Sequence, residues 1–384
     1  MKALVVDAKW QARNGYTIKD DERYNKRARS GCQVWRYPLF EIKEVAAPKI
    51  TSDEVLIRVK RCGICGSDSH IYETDAEGYI LFSGPAKFPC IIGHEYSGIV
   101  EELGEGVSTL RRGDMVAVES IHWCGKCISC RSGNFNQCED VELTGITVDG
   151  ALAEFVKAKE RHCWSINSLL NKYREDDVLD IGAIVEPIGC AYNGMFIAAG
   201  GFKPGDSVVV YGVGPIGLGA VALAKTAGAG LIIAFDNKAR RLEIAKTLGA
   251  DCTYNLGSIA SPSEIVLEAT EGRGAQMQIE AAGAAPYTIP EMERSLSFNG
   301  KIVYLGRSSA SSVVCLDNFV TGASSIIGAR GHSGYGIYFN IIRLLLSDRF
   351  RIKDMITSYF SLDDAVEAIK KSTERTDGKI LITV

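Results

Sequence analysis

No apolar run in this 384-residue chain reaches the roughly 18 to 20 residues that a membrane-crossing helix requires, so no membrane span is expected. Proline is scarce, at 10 residues against 40 glycines. With 46% apolar and 23% charged residues, this usage excludes collagen-like, low-complexity and disordered classes. Neither sign of charge dominates: 43 Lys and Arg face 47 Asp and Glu, a formal charge of -4, which makes nucleic acid an unexpected partner. No internal repeat of solenoid period is present. The opening MKALVVDAKWQARNGY meets Asp7 and Lys9 before an apolar signal core can form, so the expected compartment is the cytoplasm. There the twelve cysteines read as reduced thiols, metal ligands or small buried hydrophobes rather than disulfides.

At roughly 100 to 200 residues per domain the length predicts two domains. Residues 1–160 carry short runs of β-type alternation at 3–6, 40–45, 55–60, 99–103, 115–118 and 152–156. Residues 11–37 interrupt them with a charged, non-periodic stretch that reads as a solvated surface loop. From Ser207 the texture becomes strand then helix, repeated through SVVVYG, LIIAFD, QMQIEA and KIVYLG, which implies a parallel sheet with crossover helices. Helical patterns around 341–346 and 362–371 precede a last strand, KILITV, and this end is expected to rejoin the first domain.

Cys124, Cys127, Cys130 and Cys138 place four thiols in fifteen residues, with two-residue gaps between the first three. Short gaps let the chain curl around one tetrahedral zinc, and a site closed by four thiolates leaves no position for substrate, so its role is structural. The rival, free thiols clustered by chance or a redox pair, is disfavoured by their number and spacing. Upstream, GICGSDSH holds Cys65, Ser67, Asp68 and His70, and IIGHEYSG holds His94 and Glu95. Cys, His and Glu form a mixed ligand set that zinc accepts, and three protein ligands leave a fourth position open.

YGVGPIG supplies Gly212, Gly214 and Gly217 directly after a strand and at the start of a helix-compatible run. Those glycines permit the tight turn, the close approach of backbone to a pyrophosphate, and the packing of helix on strand. Pro215 and Ile216 within the turn join them, as do Leu305 and Gly306 at the end of KIVYLG. Asp236 ends the next strand 19 residues after Gly217, where a carboxylate accepts from ribose hydroxyls and repels a 2′-phosphate, favouring NAD over NADP. Arg241 is either an adenine-stacking residue or a solvated surface arginine.

With Cys65, His94, Glu95, the four-cysteine lobe and the glycine fingerprint in this order, the chain resembles the zinc-dependent medium-chain dehydrogenases, the alcohol and polyol dehydrogenase family. The motif VEP (Val185, Glu186, Pro187) belongs to the same match, which covers nearly the whole chain. The resemblance implies an α/β protein with a GroES-like β-rich catalytic domain, residues 1–190 and 331–384, and a doubly wound Rossmann domain, residues 191–330. It implies that Cys65 and His94 hold a catalytic zinc, with Glu95 the third ligand or exchanging with solvent. Glu186, where simple-alcohol members carry cysteine, is implied to be a ligand or to hold water on the metal, as in the sorbitol and threonine dehydrogenase branch. Ser67 is implied to accept the substrate proton and His70 to relay it, while Asp68 orients His94.

VWRY, EGYILFSG, WCGKC, VDGALAEF and GHSGYG further resemble scyllo-inosose dehydrogenases and aminocyclitol enzymes of antibiotic biosynthesis. The expected activity is therefore oxidation of a secondary alcohol of an inosose or aminocyclitol to a ketone, with zinc and NAD, by a homodimer or homotetramer. Arg330 and His332 are candidate substrate residues there, against the reading of a merely capped loop. The alternatives are an acyclic polyol or threonine-type dehydrogenase, and a non-catalytic nucleotide-binding protein on the same fold. The presence of Cys65, His94, Glu95, Glu186, Ser67 and Asp236 argues against lost chemistry.

Overall fold

Alternating apolar side chains at Val55, Ile57 and Val59 build the strand Glu54–Gly63, the hub of a seven-stranded sheet in the computed structural model, which describes residues 1–308 and 310–384. One edge of this strand pairs antiparallel with Glu95–Leu103. Its other edge is shared, the first half taking Phe155–Lys159 and the last residues taking Lys379–Thr383. Met115–Val118 and Cys163–Ser165 extend the sheet beyond Glu95–Leu103, and Ile356–Ser361 extends it beyond Lys379–Thr383. A three-stranded sheet of Trp35–Glu44, Lys2–Trp10 and Cys90–Ile91 accompanies it. Val55, Ile57, Val59, Ile92, Val116, Val156 and Ile382 are buried in one apolar cluster, so both ends of the chain contribute to this core.

The predicted strand at 152–156 forms at Phe155–Lys159. Leu152 and Ala153 are fully buried, and Leu152 N–H donates to Ile92 O at 2.9 Å, so these apolar residues serve the core before the strand begins. Residues 11–37 are not a solvated loop. Asp20–Asn25 is helical, Arg27–Ala28 pairs with Ala86–Lys87, and Trp35 is buried with its indole N–H donating to Ala86 O at 3.0 Å. The knot of this segment is Glu22, only 1% exposed, whose carboxylate accepts from Tyr16 Oη at 2.9 Å, Lys19 N at 3.0 Å and Arg29 N at 2.7 Å. A pattern search sees only the charges there. Three donors converging on one carboxylate are what let a charged segment fold.

The second unit is a six-stranded parallel sheet in the order Cys252–Asn255, Leu231–Asp236, Ser207–Tyr211, Ala275–Glu280, Leu296–Tyr304, Ser325–Gly328. Numbered along the chain this is 3-2-1-4-5-6, the doubly wound dinucleotide-binding order. Central strands such as Ser207–Tyr211 are continuously apolar because both faces are covered, by helices including Pro215–Ala227, Ala239–Leu248 and Ala285–Arg294.

By density of contacts the chain divides into Met1–Glu186 with Ser358–Arg375 and Ile380–Val384, and Pro187–Thr357 with Thr376–Lys379. The segment 331–357, expected with the β-rich domain, belongs to the second unit, as do residues 187–190. Its helix Ile337–Leu346 buries Ile337, Tyr338, Ile341 and Leu345, and Thr226 Oγ1 donates to Arg349 O. Among the described residues no single helix is long and apolar enough to cross a membrane.

Replacing Glu22 by Ala is expected to leave three part-buried donors without their acceptor and cost about 1–3 kcal/mol. A urea titration followed by tryptophan fluorescence checks this, with an unchanged midpoint contradicting the role assigned to Glu22.

Candidate active site

Three short pieces of the first unit build the open ligand cluster. Cys65 stands at the N-terminus of the helix Gly66–Tyr72, where its backbone N–H donates to Asp68 Oδ2 at 2.8 Å. His94 and Glu95 open the strand Glu95–Leu103 and are 5% and 1% exposed. The glycine of GHE is required by geometry: Gly93 has φ +90, and a Cβ there would lie 2.7 Å from Leu152 Cγ and 2.8 Å from Cys62 Sγ. This turn brings donor atoms of Cys65, His94 and Glu95 all within 4.8 Å of one another.

Around this cluster, Ser67 Oγ lies 3.3 Å from His94 Nε2, and Asp68 Oδ1 lies 3.9 Å from His94 Nδ1. Burial disfavours the charged imidazolium of His94, but the charges of Cys65, Asp68 and Glu186 outweigh it and raise its pKa well above the ordinary value. Glu186, 7% exposed on the helix Val185–Tyr192, accepts from Ser120 Oγ at 3.0 Å. His70 is three residues beyond Ser67 on the same helix, on its exposed side. A half-buried thiol gathered with a buried imidazole and carboxylate is a donor set that suits a zinc ion, which offsets the negative charge of sulfur and carboxylate.

The four thiols of Cys124, Cys127, Cys130 and Cys138 form a second cluster, again with sulfurs within 4.8 Å of one another. Zinc–sulfur bonds of about 2.3 Å in a tetrahedron set sulfurs roughly 3.8 Å apart. Cys127 Sγ and Cys138 Sγ are 4.0 Å apart, so little contraction would be needed. Backbone N–H groups already point at the sulfurs: Lys126 N and Cys127 N donate to Cys124 Sγ at 3.4 and 3.3 Å, and Cys130 N donates to Cys127 Sγ at 3.4 Å. The first two of these bonds lower the Cys124 pKa to about 6, while burial pushes Cys130 up to about 12.

In the second unit the fingerprint turn has the geometry its glycines predict. Gly212 adopts φ +84, and a Cβ there would sit 2.6 Å from the Ala282 backbone. A Cβ on Gly217 would overlap the Gly212 carbonyl oxygen. Gly214 precedes Pro215, with Ile216 next in the helix Pro215–Ala227, so the first turn's N–H groups face outward for an anion. Asp236 is 6% exposed and accepts from Val213 N at 2.8 Å and Lys238 N at 2.9 Å, which locks its carboxylate beside the turn. Leu305 N and Gly306 N both donate to Glu280 O at 2.9 Å, at the carboxyl end of the neighbouring strand.

Arg241 is half-buried rather than solvated: its Nε donates to Asp377 O at 2.8 Å, and its guanidinium lies 3.5 Å from where a Gly214 Cβ would be, which sets positive charge beside the fingerprint turn. Arg330 is exposed, while partial desolvation of its guanidinium, with Arg307 nearby, lowers its pKa. His332 is buried, with Nδ1 3.7 Å from Cys190 Sγ. Ser120, Cys190 and Glu280 were missed by motif reading. Glu280, fully buried at a strand end with Gly283 N and Ala284 N donating to it, carried the readable signal of an acid closing an apolar strand.

The fold and the two donor clusters define a zinc-containing dehydrogenase of alcohols. Residues 51–168 match the model of the alcohol dehydrogenase GroES-like domain, and residues 215–347 match that of the zinc-binding dehydrogenases. The chain is 37% identical to a scyllo-inosose 3-dehydrogenase of Thermotoga maritima, over 97% of this chain and 96% of that one. It is 32% identical to an L-threonine 3-dehydrogenase of Bacillus subtilis, over 89% and 94%. A solved Thermotoga maritima structure assigned as an alcohol dehydrogenase superposes with a TM-score of 0.96 at 36% identity, covering 100% of both chains. The chain belongs to the zinc-dependent medium-chain alcohol and polyol dehydrogenase family.

The Gly217→Ala variant is expected to distort the fingerprint turn and raise the Kd for a nicotinamide dinucleotide at least about tenfold. Fluorescence titration with NADH measures it, and retained affinity would contradict the assignment of this turn.

Proposed function

We propose that this enzyme oxidises a secondary alcohol of a cyclic polyol, an inosose or aminocyclitol, to the ketone, with NAD as acceptor. The observation that carries the oxidation is the convergence of Cys65, His94 and Glu95 donor atoms within 4.8 Å. Support for the ring comes from the scyllo-inosose relative, which spans nearly the whole chain at higher identity than the threonine relative. Cys65, His94 and Glu95 would hold the catalytic zinc, with Glu186 as an alternative ligand, and the four thiols the structural one. When bound, the catalytic zinc supplies Lewis-acid polarisation of the substrate oxygen and NAD supplies the hydride acceptor.

Ser67, whose hydroxyl stands 3.3 Å from His94 Nε2, takes the proton of the substrate hydroxyl, and His70 on the exposed side of the same helix passes it to solvent. Asp68, whose Oδ1 lies 3.9 Å from His94 Nδ1, orients the His94 ring by its charge. Asp236 accepts from the adenosine ribose and repels a 2′-phosphate. Arg330 and His332 contribute to polyol recognition. The same reading includes a homodimer or homotetramer: Phe298, Val313, Leu316 and Val320 are each more than three-quarters exposed.

The test is nicotinamide reduction across inositols, inososes, aminocyclitols, sorbitol, threonine and ethanol. Cyclic polyols are expected to lead, because a site built to pair several hydroxyls rejects analogues without them. Efficient turnover of threonine or ethanol with the cyclic panel inert would overturn the substrate assignment. Wild-type enzyme is expected to prefer NAD over NADP by about tenfold or more, and Asp236→Ser to shrink that ratio. Equal use of both dinucleotides by the wild type would remove Asp236 from that role.

A further inference from the structure

Resting on the assignment of the Gly212–Gly217 turn to a dinucleotide, we propose that Glu280 is a positioning residue for the nicotinamide half of that cofactor. Its side chain holds the two loops on which this half rests. A doubly wound sheet is built from two mononucleotide-binding halves, and ligands lie outside the carboxyl ends of its strands. The Gly212–Gly217 turn and Asp236 belong to the first half and take the pyrophosphate and the adenosine. The second half is Ala275–Glu280, Leu296–Tyr304 and Ser325–Gly328. The loops 281–284 and 305–307, which follow its first two strands, are thereby left for the nicotinamide nucleoside.

Glu280 stands between these loops and the fingerprint turn. In register it faces Tyr211, the residue before Gly212, on one side and Tyr304, the residue before Leu305, on the other. Its carbonyl accepts from Leu305 N and Gly306 N, both at 2.9 Å, and Ala281 N donates to Tyr211 O at 2.8 Å. The side chain then folds over the loop that follows it. Its carboxylate accepts from Gly283 N at 3.2 Å, Ala284 N at 3.0 Å and Thr288 Oγ1 at 3.3 Å. The contacts leave no room for side chains: a Cβ on Gly306 would lie 2.3 Å from Glu280 Oε2, and one on Gly283, at φ +68, would lie 2.7 Å from Arg307 O. The fingerprint turn also bears on the loop that the carboxylate holds, through Gly212 against the Ala282 backbone.

An acid is a costly choice at this place. Glu280 is fully buried, no Lys, Arg or His pairs with it among the described residues, and burial raises its pKa. What it supplies is acceptors. Its two oxygens answer N–H groups that would be stranded without them, just ahead of the helix Ala285–Arg294, whose N-terminal dipole favours negative charge. These bonds fix the backbone of both loops from behind before the cofactor arrives, which is the support that a binding backbone needs.

Glu280→Gln keeps the shape but turns an amide N–H against these donors. Thr288→Val removes one donor, and the Thr288 hydroxyl bonds only Glu280 and Ala284 O, so its effect passes through the same loop. Calorimetric titration of wild type and both variants compares NADH with ADP-ribose, which lacks the nicotinamide nucleoside. The NADH Kd is expected to rise about tenfold in Glu280→Gln and about threefold in Thr288→Val, with the ADP-ribose Kd within about twofold of wild type in both. Unchanged NADH affinity in either variant, or a parallel loss of ADP-ribose that marks general damage to the domain, would overturn the proposal. Where Glu280→Gln does not fold, Thr288→Val decides by the same two outcomes. If the wild type binds neither ligand, the dinucleotide assignment of the turn falls and this inference with it. If it binds both and the variants bind as wild type does, the inference alone falls.

Discussion

Gathering a thiol, an imidazole and a carboxylate in a protein interior is costly unless a cation joins them, and that constraint organises the first unit. His94 registers it directly. Burial alone would keep its ring neutral, yet Cys65, Asp68 and Glu186 crowd enough negative charge around it to raise its pKa well above the ordinary value. The hub strand, its partners and the Gly93 turn hold these donors at a spacing a divalent ion bridges. The four-thiol lobe meets the same constraint in closed form, with backbone N–H groups aimed at Cys124 and Cys127.

The second unit meets a different demand, an anion held by backbone rather than by side chains. Gly212 and Gly217 clear space for the turn, and Asp236 is pinned by Val213 N and Lys238 N, so its remaining lone pairs keep one direction. Arg241 adds a fixed positive charge through its bond to Asp377 O. The helix Val185–Tyr192 carries Glu186 near its start and Cys190 near its end, and Asn193 just beyond holds the loop after the last strand.

What was legible in the sequence was local. Glycine spacing, the thiol cluster and the GHE and GICGSD motifs each depend on residues within a few positions of one another, and strand alternation placed most of both sheets. What was not legible depended on residues far apart in the chain. Ser120 meets Glu186 across 66 positions, and Asn193 meets the carbonyl of Arg330 across 137. No periodicity encodes either. The Glu22 knot was hidden for another reason, since a buried carboxylate and a solvated one look alike until their donors are known. The helix Ile337–Leu346 groups with the second unit, which its apolar pattern alone does not specify.

The central claim is that the interior donors of Cys65, His94 and Glu95 form a zinc site apart from the four-thiol lobe. Anomalous diffraction at the zinc absorption edge, on crystals of protein purified without chelator, tests it most directly. Two peaks per chain are expected, one among the four thiols and one within bonding distance of Cys65 Sγ and a His94 ring nitrogen. A single peak, confined to the four thiols, would contradict the account.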